Sequence, residues 1–256
     1  MRVIDCVGLG AMGWPMAARL AAAGVAVRGL DRDSGRQARW AAEFGIPTGP
    51  AGVVLVCVTD ESASRAVVGD LLRRAAPGTL VIDHTTTSAA WAREADARAR
   101  AAGLRWCDAP LSGGTGGAAR GELVAMIGAH PAEVAQVRAV LAPLAREVVH
   151  LGPPGSGQLG KMANQLAIAG VAAGLAEAQR FGRAAGLDLA QLFHALLQGS
   201  ARSVQLERLH AALAAHAGAA PRDFAWLRED LALCAAEAKK PLPLVQLWQG
   251  LWEDAR

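Results

Sequence analysis

The sequence predicts an α/β protein in which a doubly wound parallel sheet is followed by an all-helical domain. Short apolar runs alternate with amphipathic, helix-like stretches as far as residue 151, and no strand-like run follows. The alternation breaks at "LGPPGSGQ", where prolines and glycines cluster. The 52% of hydrophobic residues suits a globular, helix-rich chain with a substantial core. We therefore expect one domain over residues 1–153 and a second over residues 154–256.

The first domain is predicted from its strands and helices in turn. The strands are "VIDCVGL", "VAVRGLD", "VVLVCVT", "TLVID", "LRWCDAP", "LVAMIGA" and "EVVHLG". Between them lie the helices "GWPMAARLAAAG", "SGRQARWAAEFG", "ESASRAVVGDLLRRAAPG", "SAAWAREADARARAAG" and "PAEVAQVRAVLAPLA". Helical crossovers bring strands together in parallel and cover both faces of a sheet, which explains the near-continuous Val and Leu runs. We therefore expect the strands to pair in parallel.

The second domain is predicted to be helical throughout. One long, mostly apolar helix, from about residue 156 to residue 185, precedes the stop signal Gly186. Four shorter helical stretches follow it. A helix that is apolar on most faces is buried in a bundle or at a subunit interface. With Trp248 and Trp252, which we expect to be exposed, this helix predicts a homo-oligomer, a dimer or a tetramer.

Composition and charge exclude several classes of function. The formal net charge is +3, and arginines alternate with acidic residues without a basic block, so no nucleic-acid partner is expected. No apolar run is long enough for a membrane span, and no signal peptide is recognisable, so we expect a cytoplasmic protein that does not bind membranes. The four cysteines show no CxxC spacing, and three of them sit in apolar, strand-like runs, so we expect buried free thiols. The six histidines have no ligand spacing, and no metal site is predicted; His84, after a strand, is the histidine placed nearest to a possible site.

A glycine-rich loop follows the first strand. "GLGAMG" places Gly8, Gly10 and Gly13 in the GxGxxG spacing at the start of the first helix, which predicts a Rossmann-like dinucleotide site. The loop and the helix N-terminus would hold a pyrophosphate. Asp31 ends the second strand, where a carboxylate accepts hydrogen bonds from the adenine ribose and favours NAD. Arg32 leaves NADP open, because a guanidinium there can meet the 2′-phosphate.

Four motifs in one order resemble a known family, the β-hydroxyacid dehydrogenases, which include 3-hydroxyisobutyrate dehydrogenase and tartronate semialdehyde reductase. "GLGAMGWPMAARL" is similar to the N-terminal signature of that family, and "DHTTTSAA" to its Asp-x-Ser-Thr loop. "DAPLSGGTGGAARGELVAMIGA" resembles its substrate loop, and "GQLGKMANQ" its catalytic signature. The resemblance implies a Rossmann-like domain joined to a helical domain by a long helix. It also implies NAD(P)-dependent interconversion of a small 3-hydroxy acid and its semialdehyde.

The resemblance also implies roles for individual residues. Lys161, one of three lysines in the chain, would be the general acid/base at the substrate hydroxyl, and Asn164 would orient the substrate or the lysine. Substrate binding is implied for Ser112, Gly113, Gly114 and Gln165. Cofactor binding is implied for Gly8, Leu9, Gly10, Ala11, Met12, Gly13, Asp31, Arg32, Val58, Thr59 and Thr86.

The chain departs from the family pattern in three places. Only the segment from Gly45 to Gly52 stands where the family has a further strand and a small helix. The family Lys-Asp-Leu element is here Glu229, Asp230 and Leu231, so its lysine is missing. The chain also ends earlier than typical members.

These departures keep two other functions open. One is a trimmed dinucleotide-binding protein with little or no catalysis. The other is an imine reductase on the same fold, against which Lys161 argues, because related imine reductases usually lack a lysine there. The identity of the substrate alcohol is not encoded in any of the motifs.

Overall fold

The computed structural model of the chain describes residues 3–215 and 227–253. The chain divides into two compact units, Met1–Lys161 and Met162–Arg256. The first unit holds a mixed sheet with helices on both of its faces, and the second is helical in its described part. The α/β class predicted from the sequence is therefore confirmed.

Strands and helices follow the order expected from the sequence, with two additional short elements. The strands are β1 Val3–Val7, β2 Val27–Leu30, β3 Ala51–Val56, β4 Leu80–Asp83, β5 Arg105–Asp108, β6 Leu111–Ser112, β7 Leu123–Ala129 and β8 Ala145–Gly152. The helices of the first unit are α1 Gly13–Ala22, α2 Ser34–Phe44, α3 Glu61–Arg74, α4 Ala89–Ala101, α5 Gly114–Arg120 and α6 Pro131–Leu141. Helix α7, Ser156–Ala184, is followed by α8 Leu189–Gln198, α9 Val204–Ala215, α10 Leu227–Glu237 and α11 Pro243–Glu253.

The sheet has the order β2-β1-β3-β4-β5-β7-β6, and β8 pairs with β7. Strands β1 to β5 pair in parallel, as predicted. The expectation of parallel pairing is wrong for β7, which runs antiparallel to β5 and β6. The physical reason is the connection between β5 and β7. It holds only the two-residue β6 and the seven-residue α5, which turn the chain back instead of carrying it across the sheet.

Both faces of the sheet are covered by apolar side chains. In β3, Val53 and Leu55 belong to one core with α1 and α2, and Val54 and Val56 belong to a second core with α3 and α4. This alternation follows from the two-residue period of a strand. The strand order reverses between β1 and β3, and α/β sheets bind ligands at the carboxyl ends of strands at such a point.

The second unit is built on α7. Small residues of this helix, among them Ala169, Ala172 and Ala173, pack in one core with side chains of α10 and α11. The expectation that Trp248 is exposed is wrong: its ring is 1% exposed and Nε1 donates to Ala169 O at 3.2 Å. The alanines leave room for the indole, which explains its burial. The side chain of Trp252 lies outside the described residues.

The described residues also bear on the cysteines and on membrane and metal binding. All four cysteines are free, with Cys6, Cys107 and Cys234 buried and Cys57 half-buried. Over residues 3–215 and 227–253, no helix has the length and hydropathy needed to cross a bilayer. In the same ranges no three His, Cys, Asp or Glu side chains are grouped so that they could hold a metal ion.

Candidate active site

The glycine loop joins β1 to α1 and is shaped by close contacts. A Cβ on Gly8, whose φ is +96°, would lie 2.1 Å from the Cys57 carbonyl oxygen. A Cβ on Gly13 would lie 1.8 Å from the Gly8 carbonyl oxygen. Both positions therefore require glycine. Gly10 differs, because a Cβ there would meet no atom within 4 Å, so its backbone faces open space.

This loop fits a dinucleotide phosphate. Among the described residues, no side chain caps the N-terminus of α1. The first N–H groups of a helix lack intrahelical partners, and they attract anions together with the helix dipole. The open backbone at Gly10 lies at the start of this helix. The loop thus offers a pyrophosphate both donors and space, with Leu9, Ala11 and Met12 filling the positions between the glycines.

Asp31 links the end of β2 to the glycine loop. Its carboxylate accepts from Leu9 N–H at 2.7 Å and from Asp33 N–H at 2.8 Å, and its side chain is 6% exposed. Asp33 in turn caps α2, and it accepts from Gly35 N–H and Arg36 N–H. Arg32 is exposed beside them, on the wall of a cleft of about 370 Å³ that also includes Asp31 and Ser34. The carboxylates of Asp31 and Asp33, the exposed Arg32 and the guanidinium of Arg36, 3.8 Å from Asp31, therefore surround the position expected for the adenine ribose.

The loops after β3 and β4 meet at the carboxyl edge of the sheet. Val58 N–H donates to Thr85 Oγ1 at 3.3 Å, and Thr85 N–H donates to Asp83 Oδ1 at 2.9 Å. Thr59 is exposed, and Thr86 is half-buried between the buried Thr85 and Thr87. The structure thus places all three predicted cofactor residues of these loops, Val58, Thr59 and Thr86, at one edge.

Asp83 and His84, at the end of β4, hold the loops of this edge through hydrogen bonds. Burial raises the pKa of Asp83, against which hydrogen bonds from Ser64 and Thr85 act. His84 is buried, with Nδ1 at 2.7 Å from Ala109 O, and burial lowers its pKa to about 4. In the described structure its Nε2 has no hydrogen-bond partner. His84 therefore acts as a neutral structural residue that links the loop after β4 to the residue after β5.

The predicted substrate segment is not a simple loop. Ser112 lies in β6, Gly113 has a φ of +130°, and Gly114 begins α5 with a φ of +64°. A Cβ on Gly113 would lie 3.1 Å from Leu123, so glycine is favoured there by both space and conformation. The hydroxyl of Ser112 and the N-terminal N–H groups of α5 offer donors of the kind that a carboxylate needs.

Lys161 reaches this segment from α7. Its Nζ donates to Leu111 O at 2.9 Å, and the side chain is half-buried. Leu111 is the residue directly before Ser112. The lysine of the catalytic signature and the substrate segment, 50 residues apart in the sequence, therefore lie side by side in the first unit.

The start of α7 is fixed by residues that the sequence analysis did not single out. Asp108, at the end of β5, accepts from Gly155 N–H at 2.7 Å and from Gln158 N–H at 3.0 Å. The Gln158 side chain accepts from Thr87 N–H at 3.1 Å and donates to Thr85 O at 2.8 Å. One available signal was the position of Asp108 at the carboxyl end of a buried strand, where α/β proteins place site residues.

Asn164 and Gln165 follow on α7 in the second unit. Asn164 Nδ2 donates to Gln165 Oε1 at 2.9 Å, and Gln165 Nε2 donates to Asp230 Oδ2 at 2.5 Å. Gln165 is 3% exposed. Both ends of its amide are thus already engaged by protein groups, whereas Asn164 is half-buried.

Family models match both parts of the chain. A family model described as the NAD binding domain of 6-phosphogluconate dehydrogenase matches residues 3–152. A second, described as NAD-binding of NADP-dependent 3-hydroxyisobutyrate dehydrogenase, matches residues 155–256. Together the two models span both units of the chain.

Individual relatives agree with the family models. A probable 3-hydroxyisobutyrate dehydrogenase of Mycobacterium tuberculosis is 38% identical over 200 residues, which are 75% of this chain and 68% of the relative. An NAD-dependent L-serine dehydrogenase of Pseudomonas aeruginosa is 35% identical over 81% of this chain and 73% of its own. The structure of the Mycobacterium tuberculosis 3-hydroxyisobutyrate dehydrogenase with L-serine has a TM-score of 0.83 at 30% identity, and covers 99% of this chain and 93% of that one.

Solved imine reductases also share the architecture. The enzyme from Myxococcus stipitatus has a TM-score of 0.68 to this chain at 20% identity. At that identity the likeness concerns the fold alone, so the imine reductase alternative has to be judged from the residues of the site.

Proposed function

This chain belongs to the 3-hydroxyisobutyrate dehydrogenase family of NAD(P)-binding oxidoreductases, and from that premise we propose that it interconverts a small 3-hydroxy acid and its semialdehyde with Lys161 as general acid/base. The observation that carries the proposal is the hydrogen bond from Lys161 Nζ to Leu111 O at 2.9 Å. It brings a titratable amine to the segment that we expect to hold the substrate.

The nicotinamide cofactor, when bound, supplies the acceptor or donor of the hydride. Residues Gly8 to Gly13 would hold its pyrophosphate, and Asp31 would hold the adenine ribose. Val58, Thr59 and Thr86 would line the nicotinamide end. We propose NAD as the preferred cofactor, because the carboxylate of Asp31 repels a 2′-phosphate.

The role of Lys161 follows from the chemistry of the hydroxyl group. Oxidation of an alcohol releases a proton from its oxygen, and a group within hydrogen-bond reach must accept that proton. In the reverse direction the protonated amine donates to the oxygen of the carbonyl. An amine on a flexible stem suits this exchange, whereas a guanidinium stays protonated. Asn164, three residues further along α7, would orient the substrate or the lysine.

The substrate class is narrowed by the named compounds of the relatives. Both 3-hydroxyisobutyrate and L-serine carry a hydroxymethyl group on the carbon next to a carboxylate. We propose that this chain takes the same unit. Ser112, Gly113 and Gly114 would bind the carboxylate through N–H and hydroxyl donors, while Lys161 meets the hydroxyl. In this proposal Gln165 supports the substrate indirectly, through Asn164.

The lysine also separates the alternatives. A protein that only binds a dinucleotide needs the glycine loop but has no need of an amine at Leu111. Reduction of an imine adds hydride to the carbon and a proton to the nitrogen, which is basic enough to be protonated before the hydride arrives. The related enzymes usually lack this lysine. Neither alternative explains why a chain with three lysines places one in this half-buried position.

A substrate panel tests the proposal. Reduction of NAD and of NADP is measured with 3-hydroxyisobutyrate, L-serine, 3-hydroxypropionate and the methyl ester of 3-hydroxyisobutyrate, which lacks the negative charge. We expect turnover of one or more of the acids and not of the ester. Lys161→Ala should lower kcat by about 10²- to 10⁴-fold and leave the Kd of the cofactor nearly unchanged, whereas Lys239→Ala should change neither. A Lys161→Ala variant that retains most of the activity rules out the assigned role.

We further propose a homo-oligomer. Helix α7 exposes Val171 and Phe181, and Phe181 is 73% exposed. An apolar surface of this kind is typical of an interface. Light scattering of the full chain at micromolar concentration tests this, and a clean monomer would contradict it. The cytoplasmic location predicted from the sequence stays a prediction.

A further inference from the structure

The carboxylate that caps α7 comes from a distant strand. Asp108 Oδ1 bonds Gly155 N–H and Oδ2 bonds Gln158 N–H, across 47 and 50 positions of sequence. The first N–H groups of a helix need an acceptor, and a negative charge there is favoured by the helix dipole. A capping residue next to α7 in the sequence would stabilise the first turn of the helix without fixing its position on the sheet. A cap from β5 also fixes where the helix starts on the sheet.

The residues around the Asp108 carboxylate restrict its position. A Cβ on Gly128 would lie 2.5 Å from Asp108 Oδ1, and a Cβ on Gly157 would lie 2.8 Å from Oδ2. Both neighbours must therefore be glycine for the carboxylate to fit. Asp108 itself is fully buried, with 0% exposure. The two oxygens thus occupy defined positions between β7 and the first turn of α7.

Gln158 adds a second tie between α7 and the sheet. Its amide bonds the backbone of Thr85 and Thr87, in the loop expected to meet the nicotinamide. Its own backbone N–H is one of the two that Asp108 accepts. Asp108 therefore fixes both the helix start and the residue whose side chain reaches the neighbouring loop.

Lys161 lies three residues beyond Gln158, roughly 4.5 Å further along the helix axis. Residues three apart lie on the same side of a helix. A change at the helix start therefore moves Lys161 relative to Leu111, the residue that its amine bonds. Displacement of a reacting group by about 1 Å can cost about 10²-fold in rate.

We propose that Asp108 is a positioning residue, whose carboxylate sets the start of α7 on the carboxyl edge of the sheet and thereby places the Lys161 amine at the substrate segment. The effect on turnover rests on the proposed function. The effect on the position of Lys161 does not, since it concerns the protein without substrate or cofactor.

The surroundings of Asp108 make the cap sensitive to protons. Burial raises its pKa to about 6, against the backbone hydrogen bonds of Gly155, Gln158 and Asp108 itself, which lower it, and Asp83 on β4 raises it further. Other titratable or charged groups near it include the Cys107 thiol on β5, whose pKa burial raises, and His84, which bonds Ala109 O. The Arg93 guanidinium on α4 would lie 3.2 Å from a Cβ on Gly155, the residue whose N–H Asp108 accepts. Protonation converts one acceptor oxygen into a donor, and one of the two N–H groups then loses its partner.

The small number of lysines permits a direct test. In a Lys239→Arg, Lys240→Arg background, Lys161 is the only lysine, so lysine labelled with ¹³C at Cε gives a single side-chain resonance. We expect this resonance to move as pH falls through about 6, following Asp108. Adding Asp108→Asn, which has the same shape but one acceptor oxygen, should shift the resonance and abolish that step. With cofactor and substrate, the same substitution should lower kcat about 10- to 100-fold at nearly unchanged cofactor Kd.

Each result decides the proposal. A Lys161 resonance that is identical with and without Asp108→Asn overturns it. If Asp108→Asn does not fold, Asp108→Ser, which is smaller and keeps one acceptor oxygen, takes its place, and an unchanged Lys161 resonance in that variant overturns the proposal. If the parent protein turns over none of the hydroxy acids, the proposed function is wrong. The Lys161 resonance still tests whether Asp108 positions the lysine, because it is measured without substrate or cofactor.

Discussion

Gln165 Nε2 lies 2.5 Å from Asp230 Oδ2, which joins α7 to α10 inside the second unit. Leu231, the next residue, is 1% exposed and packs in the core of that unit. The segment that stands in place of the family Lys-Asp-Leu element is therefore anchored by its second and third residues. Arg228 and Glu229, directly before them, are exposed.

Reversing the charge at Glu229 should strengthen binding. The resemblance implies a positive charge at this position, next to an anionic cofactor and substrate. A charge near a bound anion contributes on the order of 1 kcal/mol, or about fivefold in affinity. We expect Glu229→Lys to lower the cofactor Kd or the substrate KM by up to about fivefold, and Arg228→Ala to raise it. Titration and steady-state kinetics measure both. Two variants that behave like wild type would show that the segment lies away from the site.

Asp31 should control the choice of cofactor. Its carboxylate is almost buried and receives Leu9 N–H, so an amide can keep one hydrogen bond while removing the charge. We expect Asp31→Asn to raise the ratio of kcat/KM for NADP over that for NAD by about tenfold, because the repulsion of the 2′-phosphate is removed. Asp33→Asn is the matched control, since Asp33 is exposed and caps α2. An unchanged ratio in Asp31→Asn would show that another group selects the cofactor.

Two glycines of one loop should respond differently to the same substitution. Gly13→Ala places a methyl group 1.8 Å from Gly8 O, so we expect loss of both stability and cofactor binding. Gly10→Ala places it in open space, so the protein should keep its Tm and lose affinity because the pyrophosphate can no longer approach. Thermal unfolding and cofactor titration separate the effects. Normal cofactor affinity in Gly10→Ala would show that the pyrophosphate does not bind against Gly10.

Trp248 should stabilise the second unit. Its buried ring packs on the alanines of α7, and removing a buried Trp or Phe side chain costs about 3–5 kcal/mol. We expect Trp248→Ala to lower the free energy of unfolding by about that amount in denaturant titrations. Phe181→Ala, on the exposed face of α7, is the control and should cost less than about 1 kcal/mol in a monomeric state. Equal losses in both variants would contradict the described burial.

Stability should depend on pH through two buried groups of opposite sign. The pKa of Asp108 is raised to about 6, so the folded state binds the extra proton and is stabilised as pH falls from about 6 to 4. The pKa of His84 is lowered to about 4, so the unfolded state binds the proton and the folded state loses stability as pH falls from about 6.5 to 4. Each contribution amounts to about 3 kcal/mol and the two largely cancel.

Removing the Asp108 carboxylate should reveal the effect of His84 on the pH dependence of stability. Between pH 7 and pH 4, Asp108→Asn should lose about 3 kcal/mol more than the parent, because only the His84 contribution remains. Unfolding in urea at several pH values measures this difference. Parallel pH profiles of parent and variant would show that Asp108 titrates in its usual range.

The local pattern predicted the fold because the strands in the centre of the sheet are buried on both faces. Val53 to Val56 form such a run, and parallel pairing follows from the helices between the runs. The pattern failed at "DAPLSGGTGG", because four glycines conceal the short α5 and nothing local shows that the chain turns back before β7. The sequence predicts an exposed Trp248, because Ala169, the residue that its indole bonds in the core, lies 79 residues away.

The candidate site shows the same limit. The motifs named Lys161, the glycine loop and Ser112 to Gly114, since these residues stand in recognisable spacings. Asp108 and Gln158 stand inside the quoted motifs "DAPLSGGTGG" and "GQLGKMANQ" but were given no role, because their partners come from β4, β5 and the start of α7, which are separated in sequence by up to 73 positions. A residue that acts by holding another in place has no spacing of its own.

Within residues 3–215 and 227–253, strand β2 pairs only with β1, and residues 45–50 add no strand outside it before β3 begins at Ala51. An edge of this kind offers unpaired backbone groups to the strand of another molecule, which is a route to aggregation. β2 is only four residues long, and Arg28 in its middle bonds both the Asp5 carboxylate and Gly49 O. A strand from a second molecule would find only four residues to pair with, so the chain can lack its outer strand and still resist joining others into fibres.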